Sequence, residues 1–208
     1  MLTNQKLGSI TGRSTSPRAT PVIVVTGTSG AGKGSIERIL LSRMPELELA
    51  VSATTRPRRS SEVDGVHYWF VSDEDFDRKL EEKGFLEYIT FPWGQRSGTL
   101  RSEIDRIQEK GKIPVLDLET DGARYVQDKV PEAVTVFVTA PTFEELERRL
   151  RARATESSGE IEERLELARQ QLDEAEHFDH VIVNDDLQRA ADEVQQIVQE
   201  RIAATMAR

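Results

Sequence analysis

The sequence predicts an α/β fold, a parallel sheet flanked by helices, from a chain of 208 residues. Three observations predict it. Short apolar runs rich in Val and Ile recur at 22–25, 113–118, 133–139 and 181–183. Segments with apolar residues at helical spacing lie between them. Strands that alternate with helices pair in parallel through right-handed crossovers. The third observation is the first junction, where Val22-Ile23-Val24-Val25 runs into Thr26-Gly27-Thr28-Ser29-Gly30-Ala31-Gly32-Lys33-Gly34-Ser35. That is strand, glycine-rich loop, helix, with G-x-x-x-x-G-K spacing from Gly27 to Lys33. Glycines let successive backbone N–H groups point into one concavity, and the helix N-terminus adds partial positive charge. The stretch therefore reads as a phosphate-binding loop, with Lys33 placed to reach the β- and γ-phosphates of a nucleotide. Gly34 stands where a Ser or Thr is expected after the lysine, and Ser35 follows one place later.

Composition narrows the classes. No apolar run approaches the roughly 20 residues of a membrane span, and the N-terminus lacks the apolar core of a secretion signal. The absence of cysteine excludes disulfides and thiol chemistry. A cytoplasmic protein is expected. The formal charge of −9 argues against general nucleic-acid binding. Local arginine clusters can still hold a small anion. His67, His177 and His180 are too dispersed for a metal site. Residues 1–19 are rich in Ser, Thr, Arg and Gly without apolar period, and a disordered tail is expected there.

The elements follow in order. Ile36, Ile39, Leu40 and Met44 recur at helical spacing, and Pro45 stops that helix. Arg56, Arg58 and Arg59 then lie within four positions, with hydroxyls just before them. Such a cluster is a solvated basic turn or a fork onto phosphate. Val66, Tyr68 and Phe70 alternate with His67 and Trp69, as on a strand. Ser72 with Asp75 caps a helix from Asp73 to Lys83, and Gly84 is its stop. Phe85 to Tyr88 reads as a strand carrying Glu87, an acid in an apolar setting or a surface acid on an alternating strand. Residues 92–99 read as a loop, and a helix runs from about Leu100 to Lys110.

The strand from Ile113 ends in Asp117 and Glu119, at the end of a parallel sheet where ligands sit. An acid there can hold Mg²⁺ or its waters. Asp121 reads as the N-cap of the next helix. Ala133 to Thr139 is a further strand, and Thr142 with Glu145 opens a helix through Arg149. The run from Arg148 to Gly159 is either a solvated charged face or a mobile lid bringing cations onto phosphates. A closing helix is expected over 187–204.

Four blocks, taken together, resemble the guanylate kinase family over roughly residues 20–203. They are the phosphate loop, Val51-Ser52-Ala53-Thr54-Thr55-Arg56-Pro57-Arg58-Arg59, Phe85-Leu86-Glu87, and Val181-Ile182-Val183-Asn184-Asp185-Asp186. Glu62, Asp64-Gly65 and Tyr68 behind the second block make it specific. The resemblance implies a P-loop NTPase core, over about 20–50, 106–150 and 164–208, with two inserts. These are a GMP-binding lobe near 51–105 and a lid near 151–163. It implies transfer of the γ-phosphoryl group of ATP to GMP with Mg²⁺, by a monomer or homodimer. Gly27, Thr28, Ser29, Gly30, Ala31, Gly32, Lys33, Gly34 and Ser35 would hold ATP. Arg56, Arg59 and Tyr68 would grip the GMP phosphate, and Ser52, Glu87, Thr99 and Glu119 the guanine. Arg149, Arg153 and Arg164 would join Lys33 in neutralising the transferring group, and Asp117 would hold the metal through water.

Guanine presents N1–H beside a 2-amino group, and one carboxylate can accept from both. The chain also departs from the family. Arg96-Ser97-Gly98 replaces Tyr-Tyr-Gly, Glu119 replaces Asp, and Ala152-Arg153-Ala154 replaces Gly-Arg-Gly. Gly34 departs as well, although adenylate kinases work with Gly-Lys-Gly-Thr. A kinase of another phosphorylated acceptor, such as a ribose bisphosphate, is the alternative enzyme. A non-catalytic guanylate kinase-like interaction module is the alternative outside enzymes, and Lys33 argues against it.

Overall fold

The computed structural model describes residues 20–91, 93–152 and 158–207. The expected N-terminal tail and Arg153 lie outside the described residues. Strand β1 (Val22–Gly27) is the centre of the molecule, and all six of its residues are buried. Its alternation serves two cores at once. Ile23 and Val25 pack with Ile36 and Leu40 of helix α1 (Lys33–Arg43) on one side. Val22 and Val24 pack on the other side with Ile107 and Val126. Burying each such side chain contributes roughly 1.5–3 kcal/mol, so a charge at Val25 would break the first core and one at Val24 the second.

After β2 (Leu47–Leu49) the chain leaves this core and builds a second sheet. Its strands are β3 (Ala53–Thr54), β4 (Trp69–Phe70), β5 (Phe85–Thr90) and β6 (Arg96–Leu100), in the order β4-β3-β6-β5. Helix α2 (Asp73–Glu81) covers it. Ser72 caps this helix by accepting from the Asp75 N–H at 3.0 Å, and three acids in the first turn complement the dipole. Phe76 on α2 stacks on Phe85, ring centres 4.3 Å apart, to form the small core.

Three expectations for this lobe change. The strand expected over 66–70 is only Trp69–Phe70, because Gly65 (φ 73°) turns the chain and leaves Val66 exposed. The helix expected to reach Lys83 ends at Glu81, because Lys83 adopts φ 54° and the Gly84 N–H returns to the Lys79 carbonyl at 2.8 Å. The loop expected over 92–99 contains β6, which is paired on both sides. Its Gly98 has no room for a side chain: a Cβ would lie 2.6 Å from the Glu87 carbonyl oxygen.

Helix α3 (Arg101–Glu109) returns the chain to the core. β7 (Ile113–Asp117) pairs beside β1, with Val25 opposite Asp117. Helix α4 (Thr120–Lys129) follows, with Glu119 as its N-cap and Asp121 inside its first turn, not at the cap. The expected Asp121 cap is displaced because the helix opens directly off the strand end. β8 (Ala133–Thr139), α5 (Phe143–Ala152), α6 (Ser158–Asp173), β9 (His180–Val183) and α7 (Leu187–Met206) complete the chain. The core sheet runs β2-β7-β1-β8-β9, all parallel. No helix among the described residues is long and apolar enough to cross a membrane.

Candidate active site

The phosphate loop leaves β1 at Gly27 and enters α1 at Lys33. Two of its glycines are forced by geometry. A Cβ at Gly27 (φ 131°) would lie 2.0 Å from the Val138 carbonyl oxygen, and one at Gly32 (φ 94°) would lie 2.5 Å from Asn184 Nδ2. Gly32 is the left-handed N-cap of α1. The first turn of that helix presents N–H groups it cannot pair itself. Lys33 Nζ donates across the loop to the Gly27 carbonyl at 2.8 Å. Asn184, at the end of β9, props the loop from below, with Nδ2 donating to the Ala31 carbonyl at 2.7 Å.

A cleft of about 380 Å³ opens beside the loop between Gly30, Gly32, Ser35, Arg149, Asn184 and Leu187. A hollow of about 410 Å³ near Pro131, Asp179, His180 and Arg201 lies at the other end of β8 and β9. Ligands of parallel sheets sit at the carboxyl ends of strands, so the cleft beside the loop is the functional one.

The cations and acids around this end are mutually arranged. Arg149 Nε donates to Glu145 Oε1 at 2.7 Å, and its Nη2 to the Asn184 carbonyl at 3.0 Å. Arg164 lies half-buried on α6. Asp117 ends β7 with its side chain open to solvent yet hemmed in by protein. That enclosure raises its pKa, Lys33 opposes the rise, and Glu119 adds to it. Glu37, one turn into α1, is 5% exposed, and its pKa is raised to about 8 by burial first and by Asp117 second.

The second lobe brings its own set. Arg56 forks onto Glu62, Nη2 to Oε1 at 2.7 Å and Nη1 to Oε2 at 3.1 Å, with the Arg59 N–H on the same carboxylate at 2.8 Å. The Arg56 hydrogen bonds and then that N–H hold Glu62 down at about 2. The Arg56 guanidinium lies 5.4 Å from the Tyr68 ring centre and 5.7 Å from that of Phe70. The alternation of Tyr68 and Phe70 therefore marks one working face.

Glu87 is 5% exposed and accepts from the Thr99 N–H at 2.8 Å. Burial raises its pKa to about 7, with Thr99 pulling down and Glu119 pushing up. Its other oxygen lies against α4, where a Cβ at Gly122 would come within 2.7 Å. Ser52 is half-buried at the lobe's entry, its carbonyl accepting from the Trp69 N–H at 2.9 Å. Glu119 accepts from Gln171 Nε2 of α6 at 2.9 Å. Arg96 and Ser97, which stand where the family has two tyrosines, both bond within the lobe. Arg96 pairs with Asp77 and, at 2.7 Å, with Asp73, over the Phe76 ring, while Ser97 donates to the Ala53 carbonyl at 3.2 Å.

The structure thus brings the predicted loop, Asp117, Glu119, Tyr68 and Glu87 to one end of the core sheet. It adds Glu37, Glu62, Gly122, Gln171 and Asn184, to which the sequence assigned no role. Of these, Asn184 stood in a block with a family signal and Glu62 directly behind one.

A phosphate loop at the carboxyl end of a parallel sheet, facing a lobe with its own arginines and a buried carboxylate, defines a P-loop kinase of a small phosphorylated acceptor. The guanylate kinase family model matches residues 18–201. A guanylate kinase of Symbiobacterium thermophilum is 43% identical over 185 residues, covering 89% of this chain and 87% of that one. One from Synechococcus sp. strain CC9311 is 44% identical over 172 residues, covering 83% and 90%. The crystal structure of guanylate kinase from Anaplasma phagocytophilum superposes with a TM-score of 0.70 at 27% identity, covering 88% and 87%. The chain belongs to the guanylate kinase family.

Proposed function

We propose that the chain transfers the γ-phosphoryl group of ATP to GMP, giving ADP and GDP, in cytoplasmic guanine nucleotide metabolism, as a monomer or homodimer. The observation that carries the acceptor assignment is Glu87, a buried carboxylate fixed on one oxygen by the Thr99 N–H. Guanine N1–H and the 2-amino group both donate, and an ionised Glu87 accepts both. Adenine would leave that carboxylate unpaired. Ser52, Thr99 and Glu119 complete the base site. Arg56, Arg59 and Tyr68 take the GMP phosphate, with Arg56 exchanging Glu62 for it.

The loop from Gly27 to Ser35 wraps the ATP phosphates, and Lys33 exchanges the Gly27 carbonyl for a phosphate oxygen. A GMP phosphate oxygen attacks Pγ in line as the bond to the ADP oxygen breaks, so no protein nucleophile is needed. Lys33, Arg149, Arg153 and Arg164 stabilise the charge on the moving group. Asp117 fits a hydrated dication, being a water-accessible acid beside the loop strand. It would hold Mg²⁺ through water, and Mg²⁺ when bound spreads the phosphate charge. The assignment divides the chain into a core, a GMP-binding lobe over about 51–105 and a lid over about 151–163.

A coupled assay with ATP, Mg²⁺ and GMP, IMP, AMP or ribose phosphates tests this. IMP lacks the 2-amino group, and a hydrogen bond to a charged group is worth about 1.5–3 kcal/mol, so GMP should be preferred on the order of 10- to 100-fold in kcat/KM. Equal use of GMP and IMP would overturn the base assignment, and use of a ribose phosphate the acceptor class.

A further inference from the structure

We infer that Gln171 is a positioning residue for acceptor recognition: it holds Glu119 toward the guanine and ties the base site to the helix that carries Arg164. The inference rests on the reading above that Glu119 faces the base. Gln171 is 3% exposed, and its Nε2 donates to Glu119 Oε2 at 2.9 Å, across 52 residues of sequence. The amide orientation is fixed by chemistry, because a carboxylate only accepts. That orientation leaves Gln171 Oε1 buried with no hydrogen-bond partner among the described residues. A side chain serving only to fill this space would avoid the orphaned oxygen, since Met has nearly the same shape and no polar atoms to satisfy. The amide therefore has a task at its other end, and that end meets Glu119.

Glu119 needs such a hold. It is the N-cap of α4, yet its side chain makes no capping bond, so the cap itself does not fix the carboxylate. With Nε2 on Oε2, the rotamer is set and Oε1 remains for the second N–H of the guanine amine. Arg164 and Gln171 are seven residues apart on α6, two turns along one stripe and about 10 Å in distance. One helix thus carries, on one stripe, the arginine proposed for the phosphoryl group and the amide that holds Glu119. Leu165 and Ala168 anchor the helix between them, at 2% and 0% exposure.

The test compares Gln171→Met, Glu119→Ala and the double variant in the full-length enzyme, with thermal midpoints to confirm folding. Gln171→Met should raise the GMP KM and cut the GMP-to-IMP preference on the order of tenfold, the factor for about 1.4 kcal/mol, with the ATP KM within about twofold of the parent. The double variant should lose no more preference than Glu119→Ala alone, because the amide acts through that carboxylate. A Gln171→Met enzyme that keeps its preference while Glu119→Ala loses it overturns the inference and spares the base assignment. Additive losses in the double variant, or an ATP KM raised as much as the GMP KM, also overturn it. An unchanged preference in Glu119→Ala overturns the base assignment beneath it.

Discussion

Burial holds the Glu87 carboxyl at about 7 against an ordinary value of 4.5, and this one group ties stability to specificity. A raised acid contributes stability that is fully present below about 4.5 and lost as pH rises through about 7. Glu87→Gln keeps the acceptor for the Thr99 N–H and removes the charge. It should therefore stabilise the free enzyme by roughly 3 kcal/mol at pH 8.5 and by far less at pH 4.5, measured by urea denaturation at both values. The same variant should lose the preference for GMP over IMP. In the parent, the GMP KM should climb as pH falls below 7, because the carboxyl must ionise to accept two donors. The climb should be shallower in Glu87→Gln. The phosphate grip makes a second prediction at this scale. Arg56→Ala and Arg59→Ala should raise the GMP KM by at least roughly tenfold while leaving the ATP KM within twofold, the size of a lost charge-assisted contact. Arg58→Ala should do little, since Arg58 is exposed and, among the described residues, donates only to the Glu62 carbonyl. Glu87 and the arginines were visible in the sequence as residue types. The contacts that tune them were not, because the Arg56–Glu62 fork and the approach of Gly122 to Glu87 join segments in ways that pattern does not encode.

The elements that could be read locally were those whose evidence is local. β1 and β8 are apolar runs, α2 and α5 announce themselves with Ser72 and Thr142, and each was found within a few residues of its place. β3 and β6 escaped because two residues, or a Ser-Gly-Thr stretch, carry no apolar period. Their pairing is decided by neighbours across the sheet. The junction of β1 and α1 gives the prediction at this scale. A Cβ at Gly34 would meet nothing within 4 Å, so Gly34→Ser should remain active and should gain a few tenths of a kcal/mol from the lost glycine entropy. Gly32→Ala should raise the ATP KM sharply, since φ 94° and Asn184 both oppose it. Asp117→Asn should cut kcat at least roughly tenfold, about 1.4 kcal/mol of transition-state stabilisation, and shift the Mg²⁺ concentration needed for half-maximal rate.

Across the whole molecule, three of the cations assigned to phosphate start out held by internal acceptors: Lys33 by Gly27, Arg56 by Glu62, Arg149 by Glu145 and Asn184. Filling both nucleotide sites would release them inward, and small-angle scattering with a bisubstrate analogue should show compaction absent with either nucleotide alone. An unchanged radius of gyration would count against closure. The strand order has a further consequence, for how the chain assembles. β1 is made first yet lies centrally, and its partners Val115 and Ala133 emerge about ninety or more residues later. β5 and β6, by contrast, meet across a short hairpin. Closing long loops slows folding, and nearby contacts form first. The acceptor lobe should therefore be ordered while the Val22–Val25 strand still waits unpaired and exposed. Pulsed hydrogen exchange during refolding should find the Tyr88 amide protected before that of Val24, and the reverse order would show that the nucleotide-loop strand finds its partners first.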